Sequence, residues 1–80
     1  ALKPGSNGSI TFFGSGSEDM RIASDGDVGI GTTDPASRLE VDGGDIEIDD
    51  SDRGLILRAP NGTRYRLQVA NDGSLSTTAL

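Results

Sequence analysis

Apolar side chains recur at every second residue along most of this chain. Ile10 and Phe12 alternate with Ser9, Thr11 and Phe13, Met20 and Ile22 with Arg21 and Ala23, and Val28 and Ile30 with Gly29 and Gly31. The same beat runs through Leu39 and Val41, through Ile46 and Ile48 among Asp45, Glu47 and Asp49, and through Tyr65, Leu67 and Val69 among Arg64, Arg66 and Gln68. A period of two places such residues on one face of an extended strand and leaves the other face wet. Residues 54–59, GLILRA, form a continuous apolar run and fit a more buried strand. Asn7-Gly8, Gly14-Ser15-Gly16, Asp25-Gly26, Asp42-Gly43-Gly44, Asn61-Gly62 and Asp72-Gly73 punctuate the strands with turn chemistry. The expectation is an all-β array. One helical turn is expected at residues 34–38, where Asp34 suits a cap and Pro35 the first helical position.

The stripes are narrow. Each strand offers two or three apolar side chains, and 18 of the 80 residues are Leu, Ile, Val or Phe, little more than in disordered chains. Small domains with so thin a core rely on disulfides, metals or oligomers. The chain has no Cys and no His, which removes disulfides, Cys- and His-based zinc sites and His-dependent catalysis. Oligomerisation is the remedy left. Three chains burying their stripes against one axis suit this pattern. The candidate core of that homotrimer is Met20, Ile22, Val28, Ile30, Leu39, Val41, Ile46, Ile48, Leu55, Leu57, Leu67 and Val69. The expected organisation is a Gly/Ser-rich, loosely packed entry segment at 1–19, a trimeric β-shaft at 20–58 and a closing β-hairpin at 59–80.

Net charge is −6, which argues against nucleic acid as a partner. No run approaches the 18 apolar residues of a membrane span. The charge is uneven: residues 1–50 carry 11 acids and 3 bases, residues 51–80 carry 2 acids and 4 bases. That polarity reads either as solvated strand faces or as head-to-tail contact between copies.

Chemistry-bearing residues are few. Asp49, Asp50 and Asp52, and Asp25 and Asp27, are acidic enough for Ca²⁺, yet neither set follows the EF-hand pattern. Asp45, Glu47 and Asp49 are acids of the kind a glycosidase pairs, but their alternation with isoleucines reads as a wet strand face. A substrate cleft also wants aromatic platforms, and only Phe12, Phe13 and Tyr65 are available. Lys3 has no partner motif for a Ser-Lys dyad, and Gly29-Ile30-Gly31 lacks the third glycine of a nucleotide loop. Asn7-Gly8-Ser9 and Asn61-Gly62-Thr63 match the glycosylation sequon and read as turns. The expectation is no catalytic residue, no metal and no cofactor. Arg64 and Arg66 are the candidate receptor contacts, set against solvated or trimer-stabilising arginines.

Residues 20–43, MRIASDGDVGIGTTDPASRLEVDG, resemble a motif widespread in bacteriophage tail fibres and related adhesin stalks: an M-R-I strand, a D/N-G turn, V-G-I-G-T, a Pro-containing turn and an L-x-V strand ending in Gly. Residues 59–80, APNGTRYRLQVANDGSLSTTAL, resemble the closing segment of many phage tail proteins. The resemblance implies an elongated, intertwined homotrimer of the triple-stranded β-helix or β-prism kind. It implies a place in the virion tail fibre and a part in host attachment, through a host cell-surface glycan or protein. Two alternatives stand beside it: the non-catalytic β-helical part of a tail-associated polysaccharide-degrading enzyme, and the stalk of a bacterial surface adhesin.

Overall fold

The computed structural model describes residues 2–4 and 8–80 and is all-β. Eight strands follow in order: β1 (Leu2–Pro4), β2 (Ile10–Phe13), β3 (Glu18–Ile22), β4 (Val28–Ile30), β5 (Leu39–Val41), β6 (Leu55–Arg58), β7 (Arg64–Val69) and β8 (Leu75–Ala79). They form a five-stranded sheet in the order β1-β2-β3-β4-β5 and a three-stranded sheet in the order β6-β7-β8. The chain divides into two units, Ala1–Ile46 and Glu47–Leu80, each holding one sheet. The division falls inside the segment 20–58 expected as one shaft. Residues of the expected entry segment supply β1 and β2, and β2 pairs with β3.

Three of the hairpins use one turn, written three times in the sequence as Ala-x-Asp/Asn-Gly-x. In Ala23–Asp27 the Gly26 N–H donates to the Ala23 carbonyl at 2.9 Å and the Ala23 N–H donates to the Asp27 carbonyl at 2.7 Å. Ala59–Thr63 repeats this at 2.9 and 2.8 Å, and Ala70–Ser74 at 2.9 and 2.8 Å. In each turn the Asp or Asn side chain accepts from the amide two residues on: Asp25 from Asp27, Asn61 from Thr63, Asp72 from Ser74. The glycine takes φ of 92°, 92° and 88° in turn, a left-handed conformation that a Cβ disfavours. The geometry is a type I turn closed by a left-handed residue, which matches the twist of the flanking strands. The expected hairpin of β7 and β8 is present, with Tyr65 opposite Ala79 and Val69 opposite Leu75.

The register lines up the apolar residues of the first sheet. Phe12, Met20, Ile30 and Val41 form one cross-strand row, and Ile10, Ile22, Val28 and Leu39 the next. Residues opposite one another, and residues two apart, share a face, so all eight lie on one side. The other side carries the row Thr11, Arg21, Gly29 and Glu40. It is this polar side that the chain covers. Residues 31–38, joining the parallel strands β4 and β5, bring the buried Pro35 over the buried Gly29, where an added Cβ would stand 3.4 Å from the Pro35 Cβ and 2.6 Å from the Thr32 carbonyl oxygen. Ser9 and Thr11 are buried as well, and no Leu, Ile, Val, Met, Phe or Tyr side chain among the described residues is. Ile10, Ile30 and Leu39 are exposed, the last by 55%.

The second sheet has the same asymmetry. Leu55 faces Leu67, Leu57 faces Tyr65 and Val69 faces Leu75, all on one side. Leu57 is 59% exposed, Val69 65% and Leu75 70%.

Three local expectations are corrected. Residues 45–49 alternate as a strand would, but they form none. Residues 43–49 make no backbone–backbone hydrogen bond within the described chain, so the segment has no ladder. Alternation specifies faces, whereas a strand also needs a neighbour. Residues 34–38 form no helical turn: the Glu40 carboxylate accepts from the Ala36 N–H at 2.6 Å and satisfies that amide without helix. Residues 54–59 do contain β6, but Leu55, Ile56 and Leu57 are exposed rather than buried, because β6 is an edge strand with neither face covered in its own unit.

Candidate functional site

Two surfaces of the second unit concentrate its chemistry. The first follows from the register of β6 against β7. Arg58 lies directly opposite Arg64, and Ile56 opposite Arg66. The residues on this side alternate with the leucines of the other, so Arg58, Arg64 and Arg66 share one face. Across β7 the face continues to β8, where Thr78 opposes Arg66 and Ser76 opposes Gln68. The Thr78 hydroxyl donates to Gln68 Oε1 at 2.8 Å. Like charges directly opposite one another destabilise a sheet unless an anion comes between them. None of these three arginines enters an ion pair among the described residues. The ion pairs there are Arg21–Glu18 at 2.7 Å, Arg38–Asp27 at 3.8 Å and Arg53–Asp50 at 3.9 Å. The face is therefore a patch of uncompensated positive charge on a chain of net −6.

Arg64 and Arg66, named from the sequence, are thus brought to one face. Arg58 joins them, and the sequence signal for it was the strand period on both sides of the Asn61-Gly62 turn. With the hairpin counted out from that turn, Arg58 falls opposite Arg64.

The second surface is a groove of about 430 Å³ at one end of the apolar side. Leu55, Leu67, Val69 and Leu75 line it together with Ile48, Asp49, Asp50 and Arg53. Residues 50–53 turn tightly here: the Arg53 N–H donates to the Asp50 carbonyl at 3.2 Å, and the Asp52 N–H to Asp50 Oδ1 at 2.8 Å.

The remaining carboxylates have other partners or stand apart. Among the described residues no group of three acids is placed to hold a metal ion. Asp50 is committed to Asp52 and Arg53, Asp25 to the Asp27 amide, and Asp27 to Arg38. In the first unit a polar recess of about 230 Å³ is lined by Ser9, Arg21, Asp25, Thr33, Asp34 and neighbours. Its one cation, Arg21, is held by both oxygens of Glu18, at 2.9 and 2.7 Å. The hydrogen bonds that Arg21 donates to Glu18 raise the guanidinium pKa above its ordinary value. Lys3 lies on β1. Asn7, which begins the first sequon, lies outside the described residues.

The twelve core candidates separate into three sets. Met20, Ile22, Val28, Ile30, Leu39 and Val41 occupy one face of the first sheet. Leu55, Leu57, Leu67 and Val69 occupy one face of the second. Ile46 and Ile48 lie in the unladdered segment between β5 and β6. No helix among the described residues is long and apolar enough to cross a membrane. No protein-family model, curated protein or solved structure matches this chain.

Proposed function

We propose that this chain is a structural and adhesive segment of a phage tail fibre, built as an elongated, intertwined homotrimer that supports attachment to the host cell. The observation that carries the reading is the position of the apolar residues. Both sheets gather most of them on one face, that face is uncovered, and no Leu, Ile, Val, Met, Phe or Tyr side chain among the described residues is buried. Contiguous apolar surface of this kind marks an interface. Covering it with further copies of the chain supplies the core that 80 residues lack, at about 1.5–3 kcal/mol for each large side chain fully buried. Closed rotational symmetry lets each copy present the same face to the axis. The tail-fibre resemblance of residues 20–43 and 59–80 supports the assignment to a fibre.

Analytical ultracentrifugation tests the assembly. A sedimenting mass of three times the 8.2 kDa chain is expected at micromolar concentration, and a folded monomer overturns the reading. Antibody labelling of purified phage particles tests the location, and label along the tail fibres is the expected result.

A further inference from the structure

We infer that residues 45–49 of one copy add as a strand to the free edge of β6 in a neighbouring copy, where Asp45, Glu47 and Asp49 meet the arginine face of Arg58, Arg64 and Arg66. The inference rests on the homotrimer reading above and specifies one of its contacts.

Four observations lead to it. The first is the segment itself. It has the alternation of a strand, no backbone hydrogen bond to the described residues, and two isoleucines in solvent, Ile46 by 68% and Ile48 by 46%. The second is the edge. Among the described residues β6 pairs with β7 alone. The Ala59 N–H bonds to the Thr63 carbonyl, and antiparallel ladders engage alternate residues. Leu55 and Leu57 therefore bond toward β7, and the backbone groups of Ile56 and Arg58 point out of the sheet. Such an edge is a template for another strand. A five-residue segment spans about 17 Å and covers it.

The third observation is charge. The arginines have no acid of their own among the described residues, and Arg58 opposes Arg64. Asp45, Glu47 and Asp49 form no ion pair there either. The fourth is parity. With Ile46 and Ile48 on the leucine side of the sheet, all three acids fall on the arginine side. A slip of one residue reverses both faces and puts acids against Leu55 and Leu57, so only one parity is tolerated.

The partner is a second copy because, among the described residues, the segment pairs with no strand of its own chain and the charges of its acids complement the arginine face. The turn at 50–53 carries Ile48 and Asp49 to the groove they share with Val69 and Leu75. That groove is lined by Leu55, Leu67, Val69 and Leu75 of the apolar side.

Hydrogen exchange on the wild-type assembly and charge reversal test the contact together. The amides of residues 46–49 are expected to exchange at least about tenfold more slowly than in an unassembled chain. Arg58→Glu/Arg64→Glu, and separately Glu47→Lys/Asp49→Lys, are expected to weaken association about tenfold, roughly 1.4 kcal/mol. The quadruple variant, with both reversals, is expected to recover most of that loss, which excludes simple misfolding as its cause. A wild-type monomer overturns both this contact and the trimer. A wild-type trimer in which residues 46–49 exchange freely overturns the strand addition alone. Reversals that leave association unchanged do the same, and assign the arginine face to another anion such as a surface glycan.

Discussion

The carbonyl oxygen of Asp42 occupies the space in which a Cβ on Gly31 would stand. The two residues close the parallel contact of β4 and β5. Gly31 takes φ of 80°, its N–H donates to the Asp19 carbonyl at 3.0 Å, and the Asp42 N–H donates to the Ile30 carbonyl at 2.9 Å. Gly31→Ala therefore combines a strained φ with a backbone clash on a hydrogen-bonded neighbour. A loss of about 2–4 kcal/mol in unfolding free energy is expected. Gly43, with φ of 85° and open space around it, separates the two effects. Gly43→Ala is expected to cost about 1–2 kcal/mol, the conformational part alone. Gly44 has neither constraint, and Gly44→Ala is expected to stay within about 0.5 kcal/mol of wild type. Denaturant titration of the three variants gives the comparison. Equal losses at 31 and 43 would mean that Asp42 moves aside at no cost.

The third Ala-x-Asp/Asn-Gly-x turn titrates. The Ser74 N–H and hydroxyl both donate to Asp72 Oδ1, at 2.9 and 2.7 Å. These bonds favour the ionised carboxylate and hold Asp72 below its ordinary value of 3.8. A carboxyl group with a lowered pKa in the folded state binds fewer protons folded than unfolded. Its stabilisation is fully present above the unfolded value and is lost as pH falls through the lower, folded value. Amide exchange in residues 70–74 is thus expected to accelerate as pH is taken below about 4, once corrected for intrinsic rates. Asp72→Asn keeps the acceptor and removes the charge, so its turn is expected to show no such step. A step that persists in the variant would place its origin elsewhere.

In the proposed trimer the two faces of the second sheet respond oppositely to a new charge. Leu57 lies on the uncovered apolar side, opposite Tyr65. Leu57→Asp would bring a carboxylate from each copy into the apolar contact, and loss of the assembly is expected, since an unpaired buried charge is costly. Ser76 lies on the arginine side, opposite Gln68. Ser76→Asp is expected to leave the mass unchanged. Size-exclusion chromatography with light scattering reads both, and a Leu57→Asp trimer would remove this face from the interface.

Much of the fold was legible in residue order, and its failures share a cause. Which residues share a face came out correctly for β2, β3, β4, β5 and β7, because alternation is a local property that survives into three dimensions; which face is covered did not, since in the first sheet the polar side holds the buried Thr11 and Gly29 and the apolar side stays open. The β7–β8 hairpin followed from Asp72-Gly73. The threefold Ala-x-Asp/Asn-Gly-x turn was equally readable at 23–27, 59–63 and 70–74. Dipeptide signals hid it, because the alanine three residues before the glycine closes the turn through its backbone alone. What residue order did not contain was partnership. Residues 45–49 alternate as well as any strand and find no neighbour among the described residues of their own chain. GLILRA is apolar throughout and lies at an edge. Asp34 and Pro35 suit a helix start, but the Glu40 carboxylate takes the Ala36 amide. The arginine face was half legible: Arg64 and Arg66 stood out, and Arg58 joined them only once the hairpin register was known.

Folding kinetics separate what one chain does from what copies do together. Strand pairs β1–β2, β2–β3, β3–β4, β6–β7 and β7–β8 each join neighbours in sequence. Hairpins of that kind close in about 1–10 μs, and they need no second chain. The uncovered apolar faces and the unladdered residues 45–49 are different, because in the proposed trimer their partners lie on other copies. Refolding from denaturant is therefore expected in two stages. A fast stage, independent of concentration, builds the hairpins. A slower stage, whose rate rises with chain concentration, covers the apolar faces, as subunit assembly does on a millisecond-to-minute scale. Tyr65 lies on the apolar face of β7, half-buried, and its fluorescence reports the second stage, while far-UV circular dichroism reports the first. Stopped-flow traces at two chain concentrations a decade apart give the decisive comparison. If Tyr65 reaches its final signal at the same rate at both, the apolar face is covered within one chain and the assembly reading fails.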